Sequence, residues 1–274
     1  MTATLLGPTG APDRAAERTR TRSPAVLRHS LAITRRNLVQ VRNDPAQLVD
    51  AVVMPMVITL VFVYLLGGAI SHGQHGYLQY LMPGIMVQAA GFAAQPTGLG
   101  LNLDFSKGVM DRFRALPIAR SAVLTGRVLA DTCRILLGQF VLIAFALAIG
   151  FRTDADPLRV IGAVALVLLY GAALTWVSAV VGLSVRNPQT VQSVGFLWMM
   201  PLQFASSLFV PTATLPGWLR TFAQVNPVTH VINATRSLLT EGAAVPDLPI
   251  ALAWLVGLIV VFAPLAVWQY RRRT

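Results

Sequence analysis

Apolar residues run through this chain in long blocks separated by short polar breaks. Blocks of about 20–25 residues lie at 51–70, 80–102, 128–150, 160–183, 190–212 and 249–269. At about 1.5 Å per helical residue, each can cross a hydrocarbon layer of roughly 30 Å. The pattern predicts an all-α integral membrane protein with six transmembrane helices. Pro83 and Pro96 interrupt the second block and Pro201 the fifth. Membrane helices tolerate such prolines, usually as kinks.

Two shorter stretches are amphipathic. Leu27, Leu31, Leu38 and Val41 form one stripe, and Arg28, Arg35 and Arg42 lie along its edge. This fits a helix in the plane of the membrane interface, with arginines reaching the phosphates; a solvated helix is the competing reading. In residues 107–117, Val109, Met110, Phe113, Leu116 and Pro117 share one helical face, while Lys107, Asp111 and Arg114 point elsewhere. Pro117 ends that helix near Leu116. Such a helix either rests on the membrane surface or lays its apolar face into a partner's groove. Physics alone weighs the two evenly. Residues 1–24 lack periodicity and are rich in Thr, Ala, Arg, Pro and Gly. They are expected to form a disordered arm before a transmembrane domain at 25–274. No apolar stretch before about residue 51 has the form of a cleaved signal.

Composition agrees with a membrane class. The chain is 55% hydrophobic and 12% charged, with a mean hydropathy of +0.62. Cys133 is the single cysteine, so no intrachain disulfide forms. A net charge of +11 would suit nucleic acid, but its placement suits a membrane better. The excess is +4 before the first block, +3 over residues 103–134, +1 at Arg186 and +3 in the tail Arg271–Arg273, which accounts for all of it. The alternate loops cancel. By the positive-inside rule both termini face the cytoplasm, as an even number of spans also requires. Arginine outnumbers lysine 21 to 1, in keeping with a high-GC bacterial source and hence a bacterial inner membrane.

The blocks hold almost no ionisable groups. Asp131 and Arg134 lie three apart near the cytoplasmic end of the third block and can pair on one helix face. Ion-coupled carriers need carboxylates or histidines at depth, where this chain offers only Gln88, Gln95, Gln139, Gln192 and Gln203. His72 and His75 lack the carboxylate or thiolate partners of a metal site, so no metal is expected. No phosphate-binding loop is present either. Energy for uphill transport must therefore come from a partner chain. An intramembrane enzyme would need paired acids, a serine–histidine arrangement or metal ligands at depth. A passive channel would need polar faces on several helices. Trp176, Trp198, Met199, Met200 and Phe204 are candidates to line a lipophilic path, since methionine repacks around varied ligands; packing between helices or against lipid is an equal alternative.

The segment LDFSKGVMDRFRALPIARSAVLTGRVLAD, residues 103–131, resembles the most characteristic cytoplasmic stretch of ABC-2 type exporter membrane subunits. FVPTATLPGWLRTFAQVNPVTHVINATRSLL, residues 209–239, is similar to their second hallmark, before the last span. The likeness is to the daunorubicin-resistance-like branch of bacterial drug and lipid exporters and covers roughly residues 28–270. Where many relatives carry a glutamate early in the first hallmark, this chain has Ser106, Lys107 and Gly108. The resemblance implies a six-span transmembrane domain of the type V exporter kind with an interfacial helix before the first span. It implies a homodimer or close heterodimer with two ATPase chains, which bind the ATP and Mg²⁺, and no catalysis by this chain. Met110, Asp111, Arg112, Phe113, Arg114, Leu116 and Pro117 would then couple to the ATPase. The segment before the last span would form short helices dipping into the outer leaflet. Trp218, Leu219 and Phe222, then Val228, Val231, Ile232 and Leu238, recur at helical spacing there, broken at Asn226-Pro227.

Overall fold

A single helix, α5 (Pro157–Ser184), forms the centre of the bundle, and most other elements lean on it. The computed structural model describes residues 45–70, 74–106, 120–240 and 242–273. Before α5 come α1 (Pro45–Ile70), α2 (Gln74–Ala93), α3 (Gln95–Ser106) and α4 (Arg120–Ala148). After it come α6 (Pro188–Phe204), a 3₁₀ turn at Thr212–Thr214, α7 (Gly217–Val225), α8 (Pro227–Leu238) and α9 (Leu248–Arg273). There is no strand among the described residues.

Sequence explains the central place of α5. Pro157 begins the helix at a position where a missing N–H is harmless. Gly171, Ala173, Ser178, Ala179 and Gly182 are all buried, and small residues let neighbouring backbones approach within a membrane. A large apolar cluster unites α2, α5 and α8 through residues such as Leu81, Ile85, Leu166, Val167, Val231 and Ile232. A second cluster, at the α3–α9 end, contains Leu101, Leu124, Trp176, Leu183, Ala266 and Tyr270.

Leu124–Ala148, Pro157–Ser184 and Leu248–Arg272 are each long and apolar enough to cross a membrane, and Val53–Leu65 is a shorter apolar stretch. Much of the outer surface is apolar. Trp254, Val256, Val260 and Val261 of α9 are exposed, as are Val57, Val61 and Leu65 of α1. Helices that are apolar on their outward faces as well as inward suit a hydrocarbon solvent. The chain is a multi-pass membrane protein.

Two blocks are broken further than the kinks expected at their prolines. Block 80–102 is divided: α2 ends at Ala93 and α3 begins at Gln95. Pro96 has no N–H for the carbonyl four residues back, and Ala94 closes a tighter turn by donating to the Gly91 carbonyl at 3.2 Å. Block 190–212 is helical only to Phe204, and residues 205–211 are irregular. Pro201 removes one helical hydrogen bond near that end, and the Leu202 and Ala205 carbonyls at the helix end accept from the Asn226 side chain. Helix α4, which holds the third block, also starts earlier than that block, at Arg120. The arm 1–24, the stripe with Arg28, Arg35 and Arg42, the whole segment 107–117, His72 and the side chain of His75 lie outside the described residues.

Candidate functional site

Helix ends leave carbonyls without partners, and the break between α2 and α3 would expose them inside the bundle. Arg134 of α4 donates from Nη2 to the Ala93 carbonyl at 2.7 Å. The same guanidinium pairs with Asp131 Oδ1 at 3.2 Å. Thr97, in the first turn of α3, donates its hydroxyl to Asp131 Oδ2 at 2.5 Å. Asp131 and Arg134 are only 9% and 8% exposed. Burying the pair is tolerable because each charge has a partner and a further hydrogen bond, and a cation suits a helix C-terminus. The i,i+3 pairing was legible in sequence, whereas its role in capping the break was not.

Below the break, α3 and α5 touch backbone to backbone. A Cβ on Gly98 would overlap the Ser178 carbonyl oxygen, and one on Gly182 would overlap the Gly98 carbonyl oxygen. Gly98 N–H donates to Ser178 Oγ at 3.1 Å, and Ser178 Oγ donates to the Gln95 carbonyl at 3.0 Å. Asn102 Nδ2 donates to the carbonyls of Gly182 at 3.0 Å and Val185 at 2.5 Å. The foot of α3 is held to α4 by Asp104 and Arg127 at 2.8 Å.

Three of the five glutamines read at depth join helices rather than gather at one point, and Gln88 is buried with its Nε2 unpartnered. Gln139 donates to the Met86 carbonyl at 3.1 Å. Gln95 donates to the Gly195 carbonyl at 3.0 Å. Gln203 donates to the Tyr170 hydroxyl at 3.1 Å, while Gln192 is exposed. A small niche between α1, α2 and α4 is lined by Pro55, Ala89, Ala93, Arg134, Gly138 and Gln139, among others.

At the other end of α2, the irregular stretch 205–211 is tied down by side chains. Tyr77 donates its hydroxyl to the Phe209 carbonyl at 3.0 Å, and Tyr80 to the Ser207 carbonyl at 2.9 Å. Arg236 of α8 donates to the carbonyls of Ser207 at 3.0 Å and Tyr80 at 3.2 Å, and its guanidinium lies 3.9 Å from the Tyr80 ring centre. Asn226 donates to the carbonyls of Leu202 at 2.7 Å and Ala205 at 3.0 Å, and its Oδ1 accepts from Val228 N–H at 2.9 Å. One asparagine thus closes α6 and opens α8. Leu208 is fully buried, with its Cδ1 2.6 Å from where a Cβ on Gly84 would lie. Nearby, His230 Nδ1 and Asp247 Oδ1 are 2.6 Å apart. Of the apolar residues read in this region, Val228, Val231, Ile232 and Leu238 are buried, whereas Trp218 is 76% exposed and Phe222 is also exposed.

The candidate path residues fall into separate surroundings. Trp176 belongs to the second apolar cluster, with Leu101 and Tyr270. Met199 is buried beside Gln203, Trp198 packs against the main cluster, and Met200 and Phe204 are exposed on α6. Exposed Gln192, Ser193, Phe196, Met200 and Phe204 make a face of α6 that is polar at its start and apolar at its end. Arg236, Asn226, Tyr80, Gly98 and Gly182 were not singled out from sequence for their contacts. Asn226 before Pro227 carries the signal of a helix N-cap, but nothing local points to Leu202 or Ala205.

A family model described as ABC-2 type transporter matches residues 28–240. The chain is 36% identical over 238 residues to the daunorubicin resistance ABC transporter permease protein DrrB1 of Streptomyces coeruleorubidus, covering 87% of this chain and 84% of that protein. It is 29% identical over 203 residues to the doxorubicin resistance ABC transporter permease protein DrrB of Mycobacterium tuberculosis, covering 72% and 70%.

Proposed function

The chain belongs to the ABC-2 type transporter family, and on that premise we propose that it is the membrane half of an ATP-driven exporter for hydrophobic or amphiphilic compounds. The observation that carries the reading is the use made of its buried charge. Among the described residues, Asp131 and Arg134 are the buried ionisable pair within the bundle. Both are committed to each other, to Thr97 and to the Ala93 carbonyl. A pair so engaged is a poor binding site for a coupling ion, so the driving energy comes from a nucleotide-binding chain.

In this reading the helices make six spans, with α2 and α3 together forming the second. Both termini are cytoplasmic, in a bacterial inner membrane. Two such subunits, identical or closely related, work with two ATPase chains that bind ATP and Mg²⁺. Arg28, Arg35 and Arg42 anchor a helix on the inner leaflet. Met110 and Phe113 anchor residues 107–117 in a groove of the ATPase, with Arg112 and Arg114 steering or pairing. Asp111, Leu116 and Pro117 shape that helix. The α6 face with Phe196, Met200 and Phe204 supports an amphiphile path or a contact with the second subunit. The names of the two relatives make daunorubicin and doxorubicin the first compounds to assay.

The test compares Phe113→Ala with Lys107→Ala in the permease co-expressed with its candidate ATPase. Buried aromatic anchors lose more than roughly 2 kcal/mol on truncation, and exposed charges up to about 1 kcal/mol. Phe113→Ala is expected to reduce ATPase co-purification or drug-stimulated hydrolysis well beyond Lys107→Ala, with insertion intact. Wild-type behaviour of Phe113→Ala in both assays removes the coupling role, and absence of drug export by the parent complex removes anthracyclines as substrates.

A further inference from the structure

The second span is two helices, and each half is fastened to different surroundings. α3 ends at Ser106, immediately before the segment proposed above to meet the ATPase. It is held to α5 through Gly98, Asn102, Ser178 and Gly182, and to α4 through Asp104 and Arg127. α2 packs closely on α1 and carries Tyr77 and Tyr80, which hold the carbonyls of 205–211 at the far rim. Between the halves the chain passes through one turn residue, Ala94. The Asp131–Arg134 pair bonds to both sides of that turn, to the Ala93 carbonyl through Arg134 and to the Thr97 hydroxyl through Asp131.

We propose that Arg134 is a positioning residue that splints this break, so that α2 and α3 move as one body. A displacement arriving at Ser106 then reaches Tyr77 and Tyr80 instead of being absorbed at Ala94. The element is suited to the task. Both contacts come from one nitrogen, Nη2, which carries two N–H donors, so one side chain serves both the carboxylate and the carbonyl. Without it, a turn next to a proline is a natural hinge. The functional half of this inference rests on the exporter reading; the mechanical half does not.

The experiment separates the two. The full-length chain with Cys133→Ser is spin-labelled through Gly76→Cys and Ser106→Cys, reconstituted in lipid nanodiscs, and its label distances are measured by pulsed electron resonance. Arg134→Met and the milder Thr97→Val are expected to broaden that distribution at least about twofold, as a freed hinge does. Arg134→Lys restores part of the narrowness. A control pair at Ser106 and Arg186, across the α3–α5 contact, stays unchanged in all variants. With the ATPase added, drug exported per ATP hydrolysed falls about tenfold in Arg134→Met, within the 5–150-fold range of coupling between sites, while hydrolysis itself persists. Parent-like widths in both Arg134→Met and Thr97→Val overturn the splint. If Arg134→Met fails to insert, Thr97→Val decides alone. A parent complex that exports nothing overturns the exporter reading and leaves the distance result to judge the splint.

Discussion

The carbonyl oxygen of Gly98 lies where a methyl group on Gly182 would have to sit. The nearest atom to a Cβ on Gly98 is likewise backbone, the carbonyl oxygen of Ser178. A side chain in the way can rotate, but a main chain cannot, so α3 and α5 are fixed at a separation that only glycine permits at these two positions.

Gly182→Ala is therefore expected to destabilise the chain by about 2–3 kcal/mol, the upper part of the range for overpacking. Gly257 has open space around its Cβ position, and Gly257→Ala should be neutral or gain up to about 1 kcal/mol from helix propensity. Heating each variant in detergent and measuring the surviving monodisperse fraction by size exclusion distinguishes them. Equal apparent melting temperatures would contradict the close contact.

Arg236 serves the Ser207 and Tyr80 carbonyls and the Asn233 side chain at once. Arg236→Lys keeps the charge but not the fork, so it should behave more like Arg236→Ala than like the parent. Losing a hydrogen bond to a charged group removes roughly 1.5–3 kcal/mol. The measurement is the rate at which a thiol reagent modifies Ser207→Cys, buried in the parent, in a Cys133→Ser background. Both Arg236 variants should speed it by tenfold or more, on the basis that about 1.4 kcal/mol is tenfold.

Asn226→Ala removes an N-cap, at about 0.5–2 kcal/mol, and also leaves the Leu202 and Ala205 carbonyls without their donor. Asn226→Asp keeps the cap acceptor but cannot donate. Asp should therefore fail here, although it caps helices as well as Asn does in general. Thermal inactivation of the reconstituted protein checks this, with rescue by Asp counting against the double role.

The proposed orientation, argued from charge, would put residue 110 inside and residue 155 outside. In intact cells, an impermeant thiol reagent should label Ala155→Cys but not Met110→Cys, each in a Cys133→Ser background. The reverse pattern would invert the topology.

The unbroken apolar blocks at 128–150, 160–183 and 249–269 match α4, α5 and α9 to within a few residues, apart from the early start of α4. Their signal is local: length and hydropathy decide. The two short helices flanking Asn226 were also readable, because the stripe and the Asn-Pro step are local. The breaks were less so. Pro96 and Pro201 marked weak points, but whether a proline kinks a helix or ends it depends on who receives the freed carbonyls. Here the answers lie 41 residues away at Arg134 and 24 at Asn226. Asp131 and Arg134 read as a pair on one helix, and their reach to a different helix could not be seen. Gly98 and Gly182 are ordinary glycines in sequence, and only the crossing makes them indispensable. The expected path residues shared a chemical type rather than a location, and the structure distributes them between two clusters and an open face.

The irregular stretch 205–211 also imposes an order on biosynthesis. Tyr77 and Tyr80 are made long before it, but Arg236 leaves the ribosome 29 residues after Ser207. At about 5–20 residues per second, that interval is roughly 1.5–6 s. During that time the carbonyl of Ser207 lacks one of its final donors and must be kept near water or within the insertion machinery. This rim is thus completed from the C-terminal side, and a nascent chain halted before Arg236 has Tyr77 and Tyr80 to hold 205–211 but no keystone to close them.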